Sequence, residues 1–203
     1  MSRFTGPHDF FDREYVEHWA EEANSRRPHR AKFFDAFAAE LSRMDEPNVL
    51  DIGAGPGFLA EQVLARCAVS SYHLLDFSPP MLELARRRLA GFGGRVFYHQ
   101  VDFLEKDWWR PLPEKFFDAA ISLQAVHEVR LPEKIAQLYS GVTALMADGG
   151  KIIVADKLDF VTEEGRGELT VRDHESALEQ AGFRGFRRVL EIEDLIMFEA
   201  TCR

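Results

Sequence analysis

Residues 49–59 read Val-Leu-Asp-Ile-Gly-Ala-Gly-Pro-Gly-Phe-Leu, the stretch of this chain most able to do chemistry. A short apolar strand, Asn48 to Ile52, carries one acid, Asp51, and then breaks into Gly53, Gly55 and Gly57. A helical pattern restarts at Phe58. Glycines this dense at a strand-to-helix turn let the backbone come within contact distance of a ligand, because no Cβ stands in the way. The dinucleotide fingerprint Gly-x-Gly-x-x-Gly uses the same device, but counted from Gly53 its third glycine falls on Phe58. A small residue is needed there for close helix–strand packing, so the match fails.

The next segments repeat the pattern of a strand ending on a polar residue. Ser71 to Leu75 reads as a second strand that finishes at Asp76, followed by Phe77-Ser78-Pro79-Pro80 and a helical run from Met81. An acid at that strand tip, about 20 or more residues after the glycine loop, is placed to accept hydrogen bonds from ribose hydroxyls. Arg95 to Val101 reads as a third strand, ending on Asp102-Phe103, and Phe117 to Leu123 as a fourth, leading into Gln124-Ala125-Val126-His127-Glu128-Val129. Taken in order, these segments resemble the motifs of class I S-adenosylmethionine-dependent methyltransferases over roughly residues 45 to 200. Asp51, Gly53, Ala54, Gly55 and Gly57 match that family's acid-x-Gly-x-Gly-x-Gly loop.

The resemblance implies S-adenosylmethionine as cofactor and a set of residues to hold it. Asp51 and the loop would order around the cofactor, and Asp76, with Phe77, Ser78 and Met81 behind it, would take the ribose. Asp102 would meet the adenine amino group while Phe103 packs on the ring. Ser122 and Leu123 would sit beside the methionine moiety, and Gln124 would also contact the cofactor. His127 matches a frequent histidine of the family and is either a proton acceptor or a wall of the cofactor pocket. Glu128 follows it on a helical turn and is expected to point elsewhere. The segment after the fourth strand reads Ser-Leu-Gln-Ala, not the Asn/Asp-Pro-Pro-Tyr/Phe of base N-methylation.

Positioning these residues calls for an α/β fold. Strand and helix periods alternate, the sign of a mostly parallel sheet covered by helices on both faces. Helices are expected over Phe58–Cys67, Pro79–Ala90, Leu131–Ala147 and from Thr170 to Ala181, where Thr170 and Asp173 form a capping box. Lys151–Ala155 reads as a buried strand. Arg187–Ile192 and Leu195–Thr201 close the fold as an antiparallel hairpin around Glu193-Asp194, giving a seven-stranded sheet. The polar connection from Lys157 to Leu169 leaves no room for an inserted substrate domain.

Residues 46–203 thus form one cofactor-binding domain, preceded by a helical segment over residues 1–45. Phe10, Phe11, Tyr15, Val16 and Trp19 recur at helical spacing, and so do Phe33 or Phe34, Phe37, Leu41 and Met44. Asn24 or Ser25 is expected to cap the second helix, with Pro28 in its first turn. This segment reads as a lid, with Tyr15 and Trp19 as candidates for the acceptor pocket.

Composition narrows the partners. The net charge of −9 and the lack of a basic stripe argue against nucleic acid. Arg86-Arg87-Arg88, late in a helix, is expected to be a solvated face, and Arg26-Arg27-x-x-Arg30 is the other basic cluster. No run approaches the length of a membrane span. Two distant cysteines, Cys67 and Cys202, fit a reducing cytoplasm. His8, His18, His29, His73, His99 and His174 are scattered, so no metal is expected. The reading is methyl transfer from S-adenosylmethionine to a small acceptor. A nonenzymatic S-adenosylmethionine-binding regulatory domain and a nicotinamide-dependent oxidoreductase are the alternatives.

Overall fold

The computed structural model describes residues 9–23, 25–129, 132–157 and 169–203. Two helices, α1 (Arg13–Glu22) and α2 (Arg30–Leu41), precede β1 (Asn48–Ile52), α3 (Phe58–Arg66), β2 (Ser71–Asp76), α4 (Pro79–Arg88) and β3 (Val96–Gln100). Then follow β4 (Phe117–Leu123), α5 (Pro132–Leu145), β5 (Met146–Lys157), α6 (Val171–Gln180), β6 (Phe183–Ile192) and β7 (Leu195–Cys202). The strands form one seven-stranded sheet in the order β3-β2-β1-β4-β5-β7-β6. Strands β1 to β5 run parallel, and β7 lies antiparallel between β5 and β6.

Each central strand is apolar on both sides because each side packs on helices. Val49, Leu74, Ile121 and Ile153 join a core with Phe33, Phe37, Leu59, Val63 and Leu82 from α2, α3 and α4. Their neighbours Leu50, Leu75, Ala120 and Ile152 face the other core, with Ile135, Tyr139, Val142 and Leu178 from α5 and α6. The turn from strand order 2-1 to 4-5 falls beside β1, so a crevice opens where the β1 and β4 carboxyl ends meet.

Strands β1 and β4 keep the bounds that the sequence suggests, and the capping box at Thr170 and Asp173 is present. Strand β5 begins five residues earlier than Lys151, because Met146 pairs with Phe117 before a bulge, and Gly149 supplies φ 78°. Strand β6 starts at Phe183 instead of Arg187, its register shifting between Arg184 and Arg187 around Gly185. The connection read between Lys157 and Leu169 falls on residues 158–168, outside the described residues.

Two features of the N-terminal segment and one of α4 depart from the sequence reading. Helix α2 begins at Arg30, past Pro28, and its N-cap His29 makes no side-chain capping bond. Ser25 instead donates to the Glu22 carbonyl at 2.9 Å, closing α1, and Asn24 lies outside the described residues. Such short polar side chains compete for the nearest backbone group. Helix α2 is also part of the core, since Phe33, Phe37 and Leu41 are fully buried. Only α1, which packs on α4, sits where a lid could move. The third correction is to Arg88, which belongs to no solvated face. It donates to the Pro56 carbonyl at 2.9 Å and lies 4.1 Å from the Phe58 ring centroid, bracing the glycine loop. Arg86 likewise lies over Tyr98 at 4.7 Å, and Arg87 reaches Glu17 of α1.

Candidate functional site

The glycine loop is shaped by contacts from its neighbours. Gly53, Gly55 and Gly57 all have positive φ, at 69°, 56° and 78°, values that favour glycine. The amides of Gly53 and Ala54 donate to the Leu75 carbonyl at 2.8 and 3.0 Å, tying the loop to the tip of β2. A Cβ on Gly53 would stand 2.3 Å from that of Ala125, so the loop after β4 closes directly on it. Phe58, where a third small residue would stand, is held between the guanidinium groups of Arg88 and Arg30.

Asp76 is the hinge of this arrangement. It is buried at the tip of β2, accepts from Gly55 N at 2.8 Å through Oδ2 and from Ser78 N at 2.9 Å through Oδ1. Burial pushes its carboxyl up to about 6; the Ser78 and Gly55 amides oppose this and the Asp102 charge adds to it. Ser78 in turn caps α4 through Met81 N and donates its hydroxyl to the Phe10 carbonyl.

A cleft of about 820 Å³ opens over these strand ends. Gly53, Gly55 and Asp76 form its floor, and Phe77, Met81, Phe103 and Leu104 give it an apolar side beside Asp102. Phe10, just before α1, and Trp19 of α1 also line it, as do Arg27, Gln124, Ala125, His127 and Glu128. A buried acid at a strand tip, a bare glycine backbone and a flat apolar slot are the groups that ribose, a ligand chain and an adenine ring require. The residues present therefore fit an adenosyl cofactor. Among the described residues no three His, Cys, Asp or Glu side chains converge as a metal set.

Residues 49–150 match the family model of the methyltransferase domain. The chain belongs to that family. A demethylmenaquinone methyltransferase of Thermus thermophilus is 30% identical over 121 residues, covering 59% of this chain and 51% of its own length. A malonyl-(acyl-carrier protein) O-methyltransferase 1 of Ilyobacter polytropus is 27% identical over 128 residues, 63% of this chain and 44% of that protein. The chain spans about half or less of the length of the curated relatives it matches. An S-adenosylmethionine dependent methyltransferase of Mesorhizobium loti shares the fold with a TM-score of 0.67 at 21% identity, covering 82% of this chain and 96% of that one. The architecture is the class I methyltransferase fold.

In this methyltransferase domain the residues singled out in the sequence divide into three groups. Gly53, Gly55, Asp76, Phe77, Met81, Asp102, Phe103, Gln124, His127 and Trp19 line the large cleft. Asp51, Ala54 and Leu123 line a smaller lobe that continues it. Gly57, Ser78, Ser122 and Tyr15 line neither. Gly57 starts α3 and Ser78 caps α4. Ser122, fully buried, donates to the Ile52 carbonyl at 2.9 Å and so couples β4 to β1, and Tyr15 packs edge-on against Phe10.

Glu128 departs from expectation. Residues 126–128 form a single tight 3-10 turn, so Glu128 also faces the cleft, with its Oε1 3.5 Å from His127 Nε2. On the other side His127 Nδ1 lies 2.7 Å from Asp156 Oδ1, and its backbone N donates to Asp156 Oδ2 at 2.9 Å. Burial raises the Asp156 carboxyl, but the His127 charge and hydrogen bonds outweigh it and hold the group below the usual range. Asp156 stands at the end of β5, and the strand-tip acid that pointed to Asp76 would have found it too. Leu104 and Ala125 carry no comparable mark in the sequence, whereas Phe10 belongs to the aromatic pattern of the N-terminal segment. Arg27 was visible only as part of a basic cluster.

Asp51 is buried and receives the Tyr72 hydroxyl at 2.8 Å. Burial lifts its carboxyl to about 7, with Tyr72 opposing and Asp76 adding to the rise. An acid whose folded value exceeds its unfolded one holds a proton that the unfolded chain has released, so stability falls as pH rises between the two values. Asp51→Asn removes this penalty and keeps an acceptor for Tyr72. Urea unfolding should show the variant gaining on the wild type between pH 5 and pH 7; parallel pH profiles would contradict the buried acid's role.

Proposed function

We propose that this protein binds S-adenosylmethionine in the cleft and transfers its methyl group to a small-molecule acceptor. The observation that carries the reading is the meeting of Asp76 and the glycine loop with the His127–Asp156 pair in one cleft at the strand ends. When bound, the cofactor supplies a methyl group already activated by a sulfonium sulfur. Asp76 takes the ribose hydroxyls through lone pairs that Gly55 and Ser78 leave open, each carboxylate oxygen accepting more than one bond. Phe77, Met81, Phe103 and Leu104 enclose the adenine, and Asp102 accepts its amino group. The nicotinamide alternative loses ground because Phe58 packs between two arginines where that fold needs a small residue.

Transfer requires an acceptor lone pair in line with the breaking carbon–sulfur bond, and placement supplies much of the rate. As the carbon–acceptor bond forms, an O–H, N–H or S–H acceptor must release its proton. Asp156 holds the His127 Nδ1–H, so the neutral ring accepts that proton at Nε2, and Glu128 Oε1, 3.5 Å from Nε2, and Asp156 stabilise the cation that results. Phe10 and Trp19 shape the acceptor's apolar contacts and exclude water.

The cleft's enclosure by α1 favours a small acceptor, and the net charge of −9 disfavours nucleic acid. No helix among the described residues is long and apolar enough to cross a membrane. Both cysteines are buried and free, which suits a reducing cytoplasm as the site of action.

A screen of small-molecule acceptors with methyl-labelled cofactor tests the activity directly. On any acceptor found, His127→Gln and Asp156→Asn should lower turnover about 10²–10⁴-fold, the range for a lost general base. Affinity for S-adenosylhomocysteine should stay within a few fold. Unchanged turnover in both variants would remove the proton-accepting role.

Helix α1 is held to α4 by exposed pairs, Arg13 with Glu83 and Arg87 with Glu17, and by the rings of Phe10, Phe11 and Phe77. Exposed ion pairs contribute at most about 1 kcal/mol each, and Val16 is the one buried side chain of α1, so α1 is weakly enough held to act as a lid that cofactor binding orders. Hydrogen exchange over residues 9–23 should slow on adding S-adenosylhomocysteine while β6 and β7 change little. Equal exchange with and without ligand would make α1 a fixed wall.

A further inference from the structure

The two edges of the sheet are built differently. Strand β6, at one edge, carries Arg184, Arg187, Arg188 and Glu191, and its pairing with β7 shifts register twice. Arg187 is also tied to Glu199 and Glu40. Charges and bulges are devices that keep an edge strand from pairing with another chain. Strand β3, at the other edge, has neither. It reads Val96-Phe97-Tyr98-His99-Gln100, with no charged residue, no proline and an unbroken register with β2. Valine, phenylalanine and tyrosine also favour strands. Among the described residues no strand lies beyond it.

The surface beside this edge is apolar and uncharged. Phe97 and Phe116 are 43% and 37% exposed, two of the three exposed large hydrophobic side chains among the described residues. His73 joins them, stacked on Phe97 with ring centroids 4.5 Å apart and edge-on to Phe116 at 5.7 Å. His73 Nδ1 lies 2.9 Å from His99 Nε2, so the two imidazoles share a hydrogen bond. Burial, with His99 adding, lowers the His73 ring to about 4, and burial lowers His99 as well, which leaves both neutral at pH 7. Tyr98 stands on the opposite face, 4.7 Å from Arg86.

A second copy of this chain is the partner that suits such an edge. The net charge of −9 makes two copies repel where acids face each other, and β3 is a stretch on which they can meet without charge. The flanks select the direction. Arg95 precedes the strand and Asp102 follows it, so an antiparallel copy sets the basic end against the acidic one, whereas a parallel copy would set like beside like. A two-fold axis at Tyr98 places Tyr98 opposite Tyr98, Phe97 opposite His99 and Val96 opposite Gln100. Residues directly opposite in an antiparallel pair share a face, so the exposed Phe97 of each copy is covered by a neutral ring of the other. The contact is self-complementary, as a two-fold interface requires.

We propose that β3 pairs antiparallel with β3 of a second copy, joining two seven-stranded sheets into one continuous sheet and covering the Phe97 face. The strand is about 17 Å long at about 3.4 Å per residue. The interface is therefore small, and the dimer is weak and reversible, with Kd on the order of micromolar to tens of micromolar.

Analytical ultracentrifugation of the full chain over about 1–200 µM tests this. Wild type should pass from monomer to dimer in that range. Phe97→Lys and Gln100→Lys put a charge at exposed positions of the strand, and each should stay monomeric with unchanged far-UV circular dichroism. Arg188→Ala, on the other edge, should dimerise like wild type. The axis is tested by cross-linking, since both native cysteines are buried. Tyr98→Cys should cross-link to itself on mild oxidation, because opposed Cα atoms about 4.5–5.5 Å apart suit a disulfide. Gln100→Cys should not, its two copies lying about 14 Å apart. A wild type that stays monomeric throughout overturns the proposal. So does a dimer that survives both lysine variants, one lost in Arg188→Ala, or one in which Gln100→Cys cross-links as readily as Tyr98→Cys.

Discussion

One buried carboxylate sets the shape of the site. Gly53, Gly55 and Gly57 adopt left-handed backbone that a flexible loop would leave at once, since glycine loses more freedom on ordering than other residues. The Gly55 amide is fixed by Asp76 Oδ2, and the same side chain takes the Ser78 amide at the start of α4. The loop after β1 and the helix after β2 are therefore joined through a single acid that sits beside the cleft. That acid is held against its own desolvation, with its carboxyl raised to about 6. Such a group is poised to gain from any ligand that brings it hydroxyl donors.

The contributions around it differ in size. Phe33, Phe37 and Leu41 of α2 are fully buried, each worth about 1.5–3 kcal/mol of apolar transfer. The Arg13–Glu83 and Arg87–Glu17 pairs that attach α1 are exposed, each worth about 0–1 kcal/mol. Helix α2 is thus structural although it precedes the sheet, and α1, with Val16 as its one buried side chain, is the more weakly held part of the N-terminal segment. A sequence pattern of aromatics at helical spacing is the same for both helices, which is why a lid over residues 1–45 was the natural reading.

The sheet was legible because parallel strands buried on both faces are short apolar runs that end where the cleft opens. Asp51, Asp76 and Asp102 could be picked out one by one from such strand ends. Three features could not. Arg88 reads as part of a basic helix face, yet its partner is the Pro56 carbonyl, 32 positions away. Glu128 was read as helical and turned away, but a 3-10 turn brings it beside His127. Ser122 reads by position as a neighbour of the methionine moiety, and its side chain also carries a contact the sequence does not show, donating to the Ile52 carbonyl of β1. For Arg88 and Ser122 the deciding partner is distant in the chain, and for Glu128 a local 3-10 turn replaces the helical one; periodicity carries neither.

The central claim is that Asp76 is both the brace of the glycine loop and the ribose acceptor of an adenosyl cofactor. Isothermal titration of S-adenosylhomocysteine into wild type and Asp76→Ala tests it most directly. The account predicts one site per chain in the wild type and a loss of about tenfold to a hundredfold in the variant, the worth of charge-assisted hydrogen bonds. Equal affinity in the two proteins would contradict it.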